Sequence, residues 1–148
     1  QSELKHLKYC NANVAKNGCG IIAAHNIMKL KNKSKNFIQL VAEFDYQLVE
    51  GRIGILPHIV KDGLNAYGLK GETASTVKKF DAQLKKRKYG IVLYSYPIGA
   101  HYIAVRMKGK KIEAYNVYSN NYKPIQRNSV ENLLKASKYK YMTGFTFK

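Results

Sequence analysis

The sequence predicts an α+β fold in which helices come first and an antiparallel sheet comes last. Three observations predict it. Apolar residues recur at spacings of three and four through most of the first half. From Tyr89 onward the pattern changes to short β-rich runs and strict alternation. A Lys108-Gly109-Lys110 turn then joins two such runs into a hairpin. A chain of 148 residues has the size of one domain with one sizeable core, so residues 1–148 read as a single unit.

The elements follow in chain order. Gly20 to Lys31 carries Ile21, Ile22, Ala24, Ile27, Met28 and Leu30, a mainly apolar helix that must be buried. Asn36 to Val49 places Phe37, Leu40, Val41, Phe44 and Leu48 on one face, with Asn36 as N-cap and Gln39 completing a capping box. Pro57 to Tyr67 is a shorter helix opened by Pro57 and closed by Gly68. Thr76 to Lys86 has Val77, Phe80 and Leu84 on one side. Tyr89 to Tyr96 is a strand that stops at Pro97 and Gly99. His101 to Met107 alternates and returns through the turn as Lys111 to Tyr118. Asn128 to Ala136 is a helix capped by Asn128 with Glu131 three residues on, and Tyr141 to Phe147 is a last strand. The chain has no internal repeat and no low-complexity linker.

Composition narrows the function classes. Hydrophobic residues make up 45% and charged residues 24%, as in soluble globular proteins. No apolar run reaches the ~18 residues of a membrane span, and no signal-peptide pattern is visible. The first residue is Gln1, which points to a processed product or a piece of a longer protein. Cytoplasmic and secreted locations both fit. The formal net charge is +17, from 26 Lys and Arg against 9 Asp and Glu. Such a chain attracts anionic surfaces or acidic partners. The lysines are scattered, with small groups at Lys29 to Lys35, Lys85 to Lys88 and Lys108 to Lys111, and read mostly as solvated faces. Nucleic acid is disfavoured as partner, because neither an RNA-type aromatic–glycine signature nor a Cys/His finger is present. Cys10 and Cys19 are the only cysteines, too few for a disulfide scaffold, and the four histidines show no zinc-ligand spacing. No metal or organic cofactor is implied.

The chemistry gathers around Asn17-Gly18-Cys19-Gly20. A thiol at the start of a buried helix faces the positive end of the helix dipole, which lowers its pKa. Flanking glycines give a substrate backbone room to approach. A cysteine chosen only for its small size is the rival reading of this stretch. A cysteine nucleophile needs a base, and the base needs an orienting group. His101 opens a strand after the Pro97-to-Ala100 loop, and Asn116 lies fifteen residues later on the return strand. With the hairpin folding between residues 108 and 109, residues 101 and 116 stand opposite or nearly so, within reach of the Asn116 amide. Asn13, six positions before Cys19, is the candidate oxyanion donor beside the Cys19 N–H, with Asn11 as competitor. His25 falls on a different helical face and reads as packing or surface; His6 and His58 have no partner pattern. Tyr94, Tyr96, Tyr102 and Tyr118 could line a cleft, but in a chain with 12 Tyr they read as core.

The order Asn13, Cys19, His101, Asn116 resembles a papain-like cysteine peptidase, and within that family the compact bacterial branch of bacteriocin-leader-processing peptidases and their stand-alone relatives. The resemblance covers most of the chain. It rests on an amide residue six positions before the nucleophile, on Gly after it, and on the His101-Tyr102-Ile103-Ala104-Val105 run. It implies a central nucleophile helix packed on a C-terminal antiparallel sheet, and a thiol hydrolase acting on a peptide or protein substrate. Under it Cys19 attacks, His101 is the base, Asn116 orients His101 and Asn13 helps bind the oxyanion. There are departures. Asn13 stands where the family usually has Gln, and Gly18 where the leader-processing branch commonly has Asp. Asn116 is the papain-type third member. No transporter segment accompanies the chain. Two other readings stay open: acyl transfer or deamidation with the same residues, and a non-catalytic basic binding module.

Overall fold

The computed structural model describes residues 2–9, 12–33, 35–45, 55–117 and 123–148. A 3-10 helix, Ser2–His6, leads into a two-stranded ribbon of β1 (Lys8–Tyr9) and β2 (Ala12–Asn13), then a single-turn helix α1 (Val14–Asn17). Four helices follow: α2 (Cys19–Leu30), α3 (Phe37–Asp45), α4 (Pro57–Ala66) and, after the short strand β3 (Gly71–Ala74), α5 (Val77–Arg87). The rest is β4 (Tyr89–Tyr96), β5 (Gly99–Lys108), β6 (Lys111–Tyr115), β7 (Ile125–Arg127), α6 (Val130–Ala136) and β8 (Lys140–Phe147). The main sheet has six strands in the order β3-β8-β4-β5-β6-β7, every neighbouring pair antiparallel.

Alternation along the strands supplies two apolar faces. Ile91, Leu93, Tyr102, Ala104, Phe145 and Phe147 join the cluster built by α2, α3 and α4. Val92, Tyr94, Ile103, Val105, Ile112 and Ala114 join the cluster built by α5 and α6. A sheet covered on both faces needs strands that are apolar throughout. This explains why β4 reads as a continuous run, with Gly90 through Tyr94 all buried. It also explains why α2 is apolar nearly all round: Ile21, Ala23, Ala24, Ile27 and Met28 are buried between β5 and the α3 and α4 helices.

The helix ends obey local rules. Asn36 Oδ1 accepts from Ile38 N at 2.9 Å, so Asn36 does cap α3; residues 46–49 of the expected helix lie outside the described residues. Thr76 caps α5 by accepting from Lys79 N. Gly68, at φ 74°, ends α4, with Leu69 N donating to Leu64 O and Gly68 N to Asn65 O, a Schellman closure that favours glycine. The expected cap of α6 is corrected by one residue. Ser129, at φ −158°, accepts from Asn132 N, and the helix begins at Val130. Its N-terminus is held further by Asp81 on α5, whose two carboxylate oxygens take Val130 N and Glu131 N at 2.9 and 3.1 Å.

The β5–β6 register also departs from expectation. Lys108 pairs with Lys111, so Gly109 and Lys110 are both turn residues and Gly109 takes φ 62°. A two-residue loop is the shortest that reverses a hairpin. Ala104 therefore pairs with Tyr115, and His101 and Asn116 are offset diagonally instead of facing each other. The return strand ends at Tyr115, so Asn116 lies just beyond it rather than on it.

Candidate functional site

Cys19 is the first residue of α2, with Gly18 as N-cap. It carries a free thiol; Cys10 lies outside the described residues. The glycines beside it answer to the protein's own packing before any substrate's. A Cβ on Gly18 would press on Val14, and one on Gly20 would strike Ile55 Cγ2 and crowd Tyr102 Cδ2. Both glycines are buried. Close packing against Val14, Ile55 and Tyr102 thus calls for glycine at both positions, apart from any room they leave a substrate.

The thiol's electrostatics also correct the expectation. Burial pushes the Cys19 pKa up from its ordinary value. Hydrogen bonding to the backbone at Tyr102, Gly20 and Cys19 itself pulls the other way without prevailing. The magnitudes explain the sign. A helix terminus contributes about 0.3–1 kcal/mol, while full burial can move a group by roughly 3–5 pKa units. The sulfur of the free protein is therefore a neutral thiol held against the backbone of Tyr102, the residue that follows His101.

His101 sits on the α5/α6 face near the start of β5. Its Nε2 lies 2.6 Å from the backbone carbonyl oxygen of Asn116. A carbonyl only accepts, so Nε2 carries the proton and Nδ1 of the neutral ring is left with a lone pair. Burial lowers the His101 pKa from its ordinary value, and the Asn116 carbonyl only partly offsets this. Burial thus favours the neutral ring.

Asn116 meets His101 through its main chain, not through the side-chain amide that the sequence suggested. It adopts φ 61°, the left-handed region that Asn tolerates better than most residues. That turn away from the ladder is what aims the carbonyl at the imidazole. Tyr94 completes the arrangement. It pairs with His101 across the β4–β5 ladder, and the two rings meet edge to face with centroids 5.7 Å apart. Its hydroxyl donates to Val117 O at 3.2 Å, and its other side stacks on Tyr139 at 4.7 Å and 7°. Tyr94 is 2% exposed, in keeping with a core residue, and bridges the histidine to the 116–117 backbone. Only the strand register reveals this, because Tyr94 and His101 are seven residues apart in sequence.

Asn13 caps α1, its Oδ1 accepting from Lys16 N at 3.1 Å. The amide is thus turned with its oxygen into the helix and its NH₂ group away from it. Asn11 and Tyr118 lie outside the described residues. Tyr102 is buried in the α2 face, donating to Ile55 O at 3.0 Å, and Tyr96 is half-buried near the β4–β5 turn. His25 packs edge to face on Phe37 at 5.0 Å, which accounts for it as a packing residue. Among the described residues, no helix is long and apolar enough to cross a membrane.

No family model and no curated protein matches this chain. Among solved structures the chain is similar to a double glycine motif protease from an AMS/PCAT transporter, crystallised in complex with the leader peptide. The TM-score is 0.60 over 88% of this chain and 83% of that one, at 16% sequence identity. An identity that low speaks for the fold. That fold is α+β and papain-like, with a central helix opened by Cys19 packed on a C-terminal antiparallel sheet.

Proposed function

We propose that the chain is a cysteine peptidase acting on a peptide or protein substrate. The observation that carries the reading is the seating of the thiol. It lies at the start of the central helix against the backbone of Tyr102, and the residue before Tyr102 in β5 is His101, whose ring is held through Nε2 by the Asn116 carbonyl. The fold it shares with a peptidase crystallised with its leader peptide supports the same reading. The bacterial leader-processing branch is the narrower form of this proposal, resting on the residue order alone.

The two pKa directions set the mechanism. A neutral thiol and a neutral imidazole call for general-base catalysis, not a standing thiolate–imidazolium pair. As Cys19 Sγ bonds to the scissile carbonyl carbon, its proton passes to His101 Nδ1. The carbonyl oxygen becomes an oxyanion, bound by the Cys19 N–H and the Asn13 NH₂. His101 then gives the proton to the leaving amine as the C–N bond breaks, and the acyl group remains on sulfur. Water, losing a proton to His101, attacks the thioester and releases Cys19 as the thiol. Asn116 acts through its carbonyl, fixing the tautomer and balancing the imidazolium that forms. Asn13, with its oxygen committed to the α1 cap, keeps its donor side free of that bond.

Incubation with a peptide pool under reducing conditions, with products mapped by mass spectrometry, tests the proposal. Native protein is expected to cleave, and Cys19→Ala and His101→Ala are expected to lose at least ~10³-fold in rate. Cleavage that survives Cys19→Ala overturns the assignment.

A further inference from the structure

A cavity of about 220 Å³ is lined by Ser95, Tyr96, Pro97, Lys138 and Lys140, its β4 residues following Tyr94, the ladder partner of His101. Its walls come from the end of β4, the turn into β5 and the start of β8. The ladder places it close to the chemistry. Tyr94 pairs with His101 and Leu93 with Tyr102, whose backbone meets the Cys19 sulfur. Ser95 and Tyr96 are the next residues along the same strand. At about 3.3 Å per residue, the lining begins within roughly 3–7 Å of those pairs along the strand.

The chemistry of the walls is one-sided. Lys138 takes φ 56° just past the end of α6, where Tyr139 N donates to Leu134 O at 2.9 Å. This closure seats Tyr139 against Tyr94 and Tyr96 and leaves Lys138 and Lys140 on either side of it, both exposed. Lys140 is further fixed by its pairing with Ser95. Five ion pairs occur among the described residues and neither lysine is in any of them. Two cations without a carboxylate partner among the described residues therefore share the lining of this hollow with Tyr96 and Ser95. Ile98, at the tip of the adjoining turn, is 92% exposed and offers an apolar contact next to it.

We infer that this cavity is a specificity subsite for an acidic side chain of the peptide substrate, about two to three residues from the scissile bond. The inference rests on the peptidase reading and deepens it. An extended peptide covers the distance from the proposed dyad to the lining in two to three residues. A carboxylate entering there meets both ammonium groups and the Tyr96 and Ser95 polar atoms. A lysine or arginine side chain at that position meets only like charge.

A position-scanning peptide pool cleaved by native protein, by Lys138→Gln/Lys140→Gln and by Lys138→Glu/Lys140→Glu tests it, with thermal melts confirming that the variants fold. Asp or Glu is expected to be enriched at one fixed position near the cleaved bond. The preference should fall about tenfold in the Gln pair, reverse toward Lys and Arg in the Glu pair, and shrink with added salt. Cleavage without an acidic preference, or a preference that the charge reversal does not move, overturns the subsite and leaves the peptidase standing. No cleavage by native protein overturns the peptidase reading, and the subsite falls with it.

Discussion

Glu113→Gln is expected to destabilise the protein by about 2 kcal/mol at pH 7, with the loss vanishing in acid. Glu113 lies mid-strand in β6, 2% exposed. Its carboxylate takes Lys108 Nζ at 2.9 Å, two Arg106 nitrogens at 2.6 and 2.8 Å, Tyr115 Oη at 2.9 Å and Gln126 Nε2 at 3.1 Å. These partners stand on β5, β6 and β7, so one carboxylate ties three strands together. The Lys108 ammonium above all, then Arg106, Tyr115 and Gln126, hold the Glu113 pKa at about 2 against an ordinary 4.5, outweighing the opposing effect of burial. At ~1.4 kcal/mol per tenfold, that difference is worth roughly 3 kcal/mol of folding free energy. Lys108 is 60% exposed and Arg106 32%, so solvent screening reduces the figure to about 2 kcal/mol. A depressed carboxyl stabilises the fold above its unfolded value and loses that contribution as pH falls through its folded value. The window here runs from about 4.5 down to about 2. Urea unfolding at pH 7 should separate the native protein and the variant by that amount, or roughly 6 °C in Tm for a chain of this size. The gap should close as pH approaches 2. Equal stability at pH 7, or a gap that persists in acid, would refute the reasoning. Asn116 follows directly on this strand, so activity should fall with stability.

Three further outcomes are expected. Gly20→Ala sets a methyl against Ile55 and Tyr102 beside the proposed nucleophile; a loss of about 1–3 kcal/mol in chemical denaturation is expected, and unchanged stability would show that the site relaxes freely. Tyr94→Phe deletes the hydroxyl bound to Val117 O; a loss of about 1 kcal/mol is expected, with a displaced His101 titration by NMR, and an unmoved titration would reduce Tyr94 to a packing residue. Burial lowers the pKa of both His101 and His25, so the folded state disfavours their protonation. Stability should decline as pH falls from about 6.5 through their lowered values, and the acid limb of peptidase activity should lie below ~6.5; a limb above that contradicts the neutral-base mechanism.

The sequence carried the elements well wherever a local rule governs them. The apolar stripe of α2, the Asn36 cap, the Gly68 closure and the bounds of β4 all follow from side chains within a few residues of one another. It did not show β3, whose four residues form a strand only because β8 lies beside them. Nor did it show β7, three residues long and held by pairing with β6.

The sequence by itself determined the α+β class and the order in which Asn13, Cys19, His101 and Asn116 occur. Periodicity and residue type are local properties, and they survive without knowledge of neighbours. Tertiary structure alone decided where those residues stand and what they bond to. The two-residue turn at Gly109 shifted the hairpin register, and the left-handed Asn116 offered His101 a carbonyl in place of an amide. Burial outweighed the helix terminus at Cys19 and left a neutral thiol. Register, desolvation and main-chain direction depend on what lies across the sheet, and such distances are written nowhere in the order of the residues.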